Sequence, residues 1–253
     1  MSKWFPFQEN NLLKQKVLFC FHHAGGSAAV YRSWIEKGGE FSVLPVELPG
    51  KATRMKEHFI ENMSELSGYI SEAVLAYAEQ REIYLFGHSM GAAIAFRVAY
   101  QLENVFHRKV AALIVAGRQP PHFPNRDQYQ SYMGTEVLLQ EMIRISGAPE
   151  YLLKSRELQD FVLPLIRRDY KLNESFEYRN EQISSPILAY AGTYDDDAPI
   201  AIMEHWKEVT SGKFWIEPIE GNHFFVTDSK IDFLQKMIKD LDQVICKEEK
   251  CKK

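Results

Sequence analysis

Ile83-Tyr84-Leu85-Phe86-Gly87-His88-Ser89-Met90-Gly91-Ala92-Ala93-Ile94-Ala95-Phe96 is the stretch that decides the fold. Its first four residues form an apolar run bounded by a turn signal, which reads as a buried strand. From Ala92 to Leu102 the chain is Ala-rich and reads as a helix. Between the two stands Gly87-His88-Ser89-Met90-Gly91, a Gly-x-Ser-x-Gly pentapeptide. In a strand-to-helix turn this motif has a mechanical meaning. The serine sits on a strained corner, and a glycine on either side lets strand and helix approach without a β-carbon clash. The corner pushes the hydroxyl out at the carboxyl edge of a sheet, where a helix N-terminus favours developing negative charge.

Working outward, short apolar runs alternate with amphipathic helical stretches. That rhythm is the pattern of an α/β fold, a mostly parallel central sheet flanked by helices. Lys16–Phe21, Phe41–Leu48, Ile83–Phe86, Val110–Ala116, Ile187–Ala191 and Phe214–Ile219 read as strands. Met63–Ala78, Ala92–Leu102, Ile200–Val209 and Ile231–Val244 read as helices, the first with Ser64 and Ser67 as capping candidates. Residues 117–182 break the rhythm. They open on Pro120-Pro121 and then carry two apolar helical faces, Leu138/Leu139/Met142/Ile143 and Leu158/Phe161/Val162/Leu165/Ile166. Pro164 lies inside the second, so a kink or break is expected there. About 65 residues without a strand is too long for an ordinary crossover. The segment is expected to be a helical lid inserted into a single domain spanning 1–253, or else an extra helical layer with no gating role. The charged tail from Cys246 to Lys253 is expected to fray.

A serine hydroxyl needs a base to take its proton, and the base needs an acid to hold its tautomer. Of eight histidines, His223 has the right setting, in Gly221-Asn222-His223-Phe224-Phe225 directly after a strand. His88 belongs to the elbow itself, and His22 and His23 are suited to shaping a pocket. His58, His107, His122 and His205 read as surface or lid residues. Asp195, Asp196 and Asp197 lie just past another strand; one of the three need point inward, and the other two should be solvated. Backbone N–H groups must receive the oxyanion of a tetrahedral intermediate. Met90, next after the serine, supplies one, and Ala24 in His22-His23-Ala24-Gly25-Gly26 is placed to supply the second. The same glycine loop can be read as a plain tight turn. Cys20 lies in a strand pattern, which disfavours a thiol nucleophile.

The 253 residues are 45% hydrophobic and 25% charged, within the globular range and outside the disordered or collagen-like ones. Thirty basic against thirty-four acidic residues leave no basic field for nucleic acid. No apolar run approaches the ~20 residues of a membrane span, and the start lacks the pattern of a signal peptide. Three cysteines without Cys-x-x-Cys spacing argue against a disulfide framework or a zinc site. A cytoplasmic protein without metal or cofactor is expected. A monomer is the default expectation, since nothing in the sequence fixes the oligomeric state.

The order Ser89, Asp, His223 is that of the α/β-hydrolase fold. Beyond it, the chain resembles the type II (external) thioesterases of non-ribosomal peptide and polyketide synthesis over nearly its whole length. The resemblance runs through Phe21-His22-His23-Ala24-Gly25-Gly26, Leu48-Pro49-Gly50-Lys51…Arg54…Glu57 and the Gly-His-Ser-Met-Gly elbow. It continues in Gly147-Ala148-Pro149-Glu150, in Leu163-Pro164-Leu165-Ile166-Arg167-Arg168-Asp169-Tyr170, in Pro186-Ile187…Gly192…Asp195 with Trp206, and in the His-Phe-Phe segment. The family's aspartate three residues after the glycine selects Asp195 as the acid. Two positions depart from the family: His22 stands where proline is usual, bearing on the rigidity of the oxyanion loop. Lys51 stands where arginine is usual, removing a bidentate fork.

The resemblance implies hydrolysis of acyl groups from the phosphopantetheine arm of an acyl or peptidyl carrier protein. The alternative is a free-standing carboxylesterase or acyl-CoA thioesterase without a carrier partner. A hydrolase-fold binding protein is disfavoured because it normally lacks one of the three catalytic side chains. For an acidic carrier, Lys51, Arg54, Arg167 and Arg168 are candidate docking residues, with ordinary solvated charges as the competing reading.

Overall fold

The alternating apolar runs form one six-stranded parallel sheet. The structure, a computed structural model, describes residues 2–7, 14–124, 129–146, 155–228 and 230–250. The strands are β1 (Lys16–Phe21), β2 (Phe41–Pro45), β3 (Glu82–His88), β4 (Val110–Ala116), β5 (Ile187–Gly192) and β6 (Phe214–Ile219), in spatial order β2-β1-β3-β4-β5-β6. Every pairing is parallel. Parallel strands need covering on both faces, and the central ones are accordingly apolar without alternation. Val17, Phe19 and Phe21 of β1 join Ile83 and Leu85 of β3 on one face. Leu18 and Cys20 join Tyr84 and Phe86 on the other. The first face is covered by α2 (Met63–Ala78) and α3 (Met90–Asn104), following the four-residue α1 (Trp34–Lys37). The second is covered by α7 (Phe233–Lys250), through Phe233, Leu234, Met237 and Leu241.

Several element ends differ from the sequence reading. β2 stops at Pro45, yet Val46 to Leu48 stay buried, because Val46 N–H still bonds Cys20 O (3.0 Å) before Glu47 N–H turns to Trp4 O (2.9 Å). The α2 cap is Asn62, whose side chain accepts from Glu65 N–H at 3.0 Å; Ser64 and Ser67 lie inside the helix. The helix read over Ile200–Val209 divides into α6 (Ile200–Met203) and a 3₁₀ turn, Glu204–Val209. The tail stays helical in α7 as far as Lys250.

Between β4 and β5 lie α4 (Thr135–Ser146) and α5 (Arg156–Glu174), with no strand among the described residues of this insertion. α5 continues through Pro164, so no break occurs there; Leu163, Ile166 and Tyr170 anchor it on both sides of the proline. These residues form a small core with Tyr129, Leu138 and Leu139, against which Ala24 also packs. Residues 147–150, one carrier of the resemblance, lie outside the described residues, as does Cys251.

The chain runs outward from β1 to β2 and returns to the far side of β1 with β3. A crevice opens beyond the carboxyl ends of two strands wherever the winding direction changes in this way. Here those ends carry the loop 22–27 and the Ser89 elbow, so the topology alone brings the two proposed halves of an oxyanion site together.

Candidate active site

The elbow is as tight as its glycines imply. Ser89 has φ 54° and ψ −120°, a conformation that L side chains rarely adopt and that persists only when its surroundings impose it. A β-carbon at Gly87 would lie 2.2 Å from Gly91 O, and one at Gly91 would lie 2.1 Å from Phe21 O. No side chain survives at either distance, so this crossing of strand, turn and helix requires both glycines. Ser89 N–H bonds Ala116 O at 2.9 Å, which ties the corner to β4.

His223 and Asp195 lie side by side. His223 Nδ1 is 2.9 Å from Asp195 Oδ2, and both residues are buried. The second carboxylate oxygen of Asp195 accepts from Asp197 N–H (3.1 Å) and Ala198 N–H (3.3 Å). Burial would raise the Asp195 pKa. The His223 hydrogen bond and charge, with the two backbone donors, outweigh that and hold the carboxyl below its ordinary value. Asp196 is exposed, as expected for a solvated neighbour. Asp197 is not free in solvent: both its oxygens receive Arg144 of α4, at 3.0 and 2.8 Å. Asp195, Asp197 and His223 offer three ligand-type atoms within 4.8 Å of one another. Arg144 occupies the Asp197 carboxylate and Asp195 occupies His223 Nδ1, so the geometry favours an acid–base pair over an ion site.

His88 has a part that the sequence reading did not assign. Its Nε2 lies 2.8 Å from His223 O, so the ring must be the Nε2–H tautomer, since a carbonyl only accepts. It is fully buried, and burial, then the nearby His223, lower its pKa to about 3. His88 thus stays neutral while it fixes the backbone of the histidine loop beside the elbow. The rings of His23 and Phe224 pack edge-on against it, with centroids at 5.3 and 5.8 Å. Among the described hydrogen bonds none joins Ser89 Oγ to His223 Nε2; bonds of this kind commonly close only with substrate in place. Cys20 is buried and unpaired, and burial drives its thiol pKa well up, which removes it as a nucleophile.

Lys51 and Arg54 are neither docking residues nor solvated charges. Both are buried. Lys51 pairs with Asp169 of α5, while Arg54 donates to Glu47 O at 3.0 Å, pairs with Glu57 and covers the Trp4 ring. Arg167 is turned inward to Ser131 O and Met133 O. Of the four only Arg168 is exposed. Long charged side chains usually end in solvent, so an exposed position is the ordinary expectation for all four. Asp169, the partner that draws Lys51 inward, is 118 residues distant.

The parallel sheet, the strained serine elbow and the buried acid–histidine pair together define an enzyme of the α/β-hydrolase fold. Residues 16–241 match the family model described as the thioesterase domain. The chain belongs to the thioesterase family and is a thioester-hydrolysing enzyme. It is 34% identical over 214 residues to thioesterase PikA5 of Streptomyces venezuelae, covering 83% of this chain and 75% of that one. It is 31% identical over 230 residues to a Brevibacillus parabrevis protein named linear gramicidin dehydrogenase LgrE, covering 89% and 87%. The chain contains no Gly-x-Gly, the core of the dinucleotide-binding fingerprint. Among solved structures, the type II thioesterase BorB from the borrelidin biosynthetic cluster superposes with a TM-score of 0.77 at 30% identity, covering 89% of this chain and 92% of that one.

Proposed function

We propose that this thioesterase removes acyl groups from the phosphopantetheine arm of acyl or peptidyl carrier proteins, editing or releasing chains in non-ribosomal peptide, polyketide or fatty-acid synthesis. The observation that carries the reading is the buried Asp195–His223 hydrogen bond beside the strained Ser89 elbow. The likeness to thioesterase PikA5 and to BorB, a type II thioesterase from a biosynthetic cluster, supports the choice of substrate. No helix among the described residues is long and apolar enough to cross a membrane.

In this mechanism Ser89 Oγ attacks the thioester carbonyl as His223 Nε2 takes its proton. Asp195 holds Nδ1–H and stabilises the imidazolium, and the N–H groups of Ala24 and Met90 receive the oxyanion. Collapse expels the phosphopantetheine thiolate, to which His223 returns the proton. Water then enters, loses a proton to His223 and attacks the acyl-enzyme, freeing the carboxylic acid and restoring Ser89. A neutral His88 suits this cycle, because a second charge there would oppose the His223 imidazolium. The chain acts as one domain over 1–253, with 117–182 as a lid whose apolar core around Leu138, Leu163 and Ile166 excludes water from the acyl chain.

The test compares steady-state hydrolysis of acyl-carrier protein, the matching acyl-CoA and a simple ester, by wild type and Ser89→Ala. The reading requires the highest kcat/KM on the carrier substrate and a loss of several orders of magnitude in folded Ser89→Ala. Equal kcat/KM on carrier and CoA would replace it with a carrier-independent thioesterase. Near-wild-type turnover by Ser89→Ala would end the serine mechanism.

A further inference from the structure

The loop that carries Ala24 is gripped from both sides by residues with no part in the chemical steps above. The peptide plane that ends in Ala24 N–H begins at His23 C=O. That carbonyl accepts from Gly26 N–H at 3.0 Å and from His22 Nδ1 at 2.8 Å. The next plane ends in Gly25 N–H, which donates to Asp169 Oδ2 at 2.6 Å. Lys51 Nζ binds the same Asp169 oxygen and also donates to Gly26 O at 2.8 Å. Both planes flanking the Ala24 α-carbon are therefore pinned. The joint beyond them, Gly25 at φ +82°, is the residue type most free to turn if released.

The choice of residues argues that this grip serves geometry. Lys51 and Asp169 are almost wholly buried, and taking two charges out of water often contributes less stability than an apolar pair of equal volume. The second Asp169 oxygen, Oδ1, is buried without a hydrogen-bond partner among the described residues, which adds to the cost of keeping this pair. An apolar pair could fill the same space. It could not accept from Gly25 N–H and donate to Gly26 O across one short loop. Lys51 also cancels the Asp169 charge, which would otherwise repel an oxyanion forming nearby.

We propose that Asp169 on α5, held by Lys51, is a positioning residue that fixes the Ala24 N–H for the oxyanion through the peptide plane that follows Ala24, with His22 fixing the plane that precedes it. This rests on the serine mechanism proposed above. It assigns to the helical insertion a direct part in building the oxyanion hole, and it answers both departures from the family pattern. His22 replaces a proline ring's constraint with a side-chain hydrogen bond. Lys51 needs no bidentate fork, because its three donors reach a carboxylate and a carbonyl lying in different directions.

The experiment uses the full chain with a small soluble acyl thioester, so that carrier docking plays no part. Asp169→Asn is isosteric, and Lys51→Met/Asp169→Leu removes both charges together, leaving neither buried alone. For each variant three quantities are read: kcat and KM; the inhibition constant of a trifluoromethyl ketone, whose hemiketal alkoxide needs the oxyanion donors; and that of the unreactive thioether analogue of the substrate. Removing an oxyanion donor outright costs about 10²–10³ in kcat, so misplacing one should cost about 10–100-fold. The expected result is that loss in kcat with KM within about twofold, a parallel loss of trifluoromethyl ketone affinity, and unchanged thioether binding. Lys51→Arg should recover most of the kcat that Lys51→Met loses. Wild-type kcat and ketone affinity in either folded variant would overturn the proposal, as would equal losses for ketone and thioether, the mark of a merely structural role. Ser89→Ala is assayed alongside. If it stays active the serine mechanism itself has failed, whereas if it is inactive and the Asp169 variants behave as wild type, only the positioning role falls.

Discussion

Mild acid should destabilise this enzyme before most of its carboxylates titrate, because His22 and His88 are buried as neutral rings. His22 is 1% exposed and His88 fully buried. Burial first, and nearby cationic groups next, lower both pKa values to about 3. In the unfolded chain each returns to about 6.5, so between pH 6.5 and 3 the unfolded state binds more protons and stability falls with pH. Moving from pH 7 to pH 5 strengthens unfolding by about 2 kcal/mol for each such histidine, or about 4 kcal/mol for the two. That is a large part of a typical stability of about 5–15 kcal/mol. Asp195 does not act in this window. Its folded pKa is depressed, so its contribution is complete above the unfolded value near 3.9 and is lost only as pH falls further. Asp169 and Glu47 titrate in the opposite sense, since burial raises both, and they offset part of the loss. The clean measurement is therefore a difference. Urea unfolding followed by circular dichroism at pH 7, 6 and 5 should show wild type losing about 2 kcal/mol more than His22→Asn over that range. Parallel pH profiles for the two proteins would mean that His22 is protonated or solvent-accessible in the fold, and the argument would be refuted.

Other outcomes follow from single contacts. Gly91→Ala places a β-carbon 2.1 Å from Phe21 O, so the protein should fail to accumulate in soluble form or lose more than about 4 kcal/mol in chemical denaturation. Asp195→Asn should lower kcat by about 10³–10⁴ and Asp196→Asn should not change it, since only Asp195 orients His223; the acid has been misassigned if Asp196 proves the sensitive position. Arg144→Met should have an intermediate effect, about 10-fold in kcat/KM with acyl-carrier substrate, because it releases α4 from Asp197, whose N–H in turn supports Asp195. Wild-type kinetics in Arg144→Met would show that this link has no catalytic consequence.

What could be read in the sequence divides along a physical line. The strands were legible because burial on both faces of a parallel sheet leaves uninterrupted apolar runs, as in Val17 to Phe21. Ser89 and His223 are legible because a strained elbow needs glycine on both sides and the base follows a strand near the chain end, whereas only the family resemblance separates Asp195 from Asp196 and Asp197. Asn62, followed three residues later by Glu65, is the capping signal in this stretch, and the nearby Ser64 and Ser67 obscure it. The end of β2 is not legible because Val46 to Leu48 are as buried as the strand, and only at Glu47 does the backbone leave the sheet for Trp4 O. The inward turn of Lys51, Arg54 and Arg144 was hidden for a different reason. Lys51 is held by Asp169, 118 residues away, and Arg144 by Asp197, 53 residues away, pairings that no local pattern records; the neighbours Glu57 of Arg54 and Glu141 of Arg144 read as ordinary surface pairs. His88 shows the same limit, since its partner is a backbone carbonyl 135 residues away.

The two helices of the insertion hold opposite halves of the site, Asp169 of α5 reaching Gly25 and Arg144 of α4 reaching Asp197. For anyone wishing to change acyl preference by transplanting this segment from a relative, it is therefore not an interchangeable cap. A graft that lacks carboxylate and guanidinium at these places would leave the host's residues 25, 51 and 197 without their counterparts, and a chimera could bind its new chain well yet turn it over poorly. Choosing donors that carry both anchors, or moving residues 51 and 197 together with the segment, turns that hazard into a design rule.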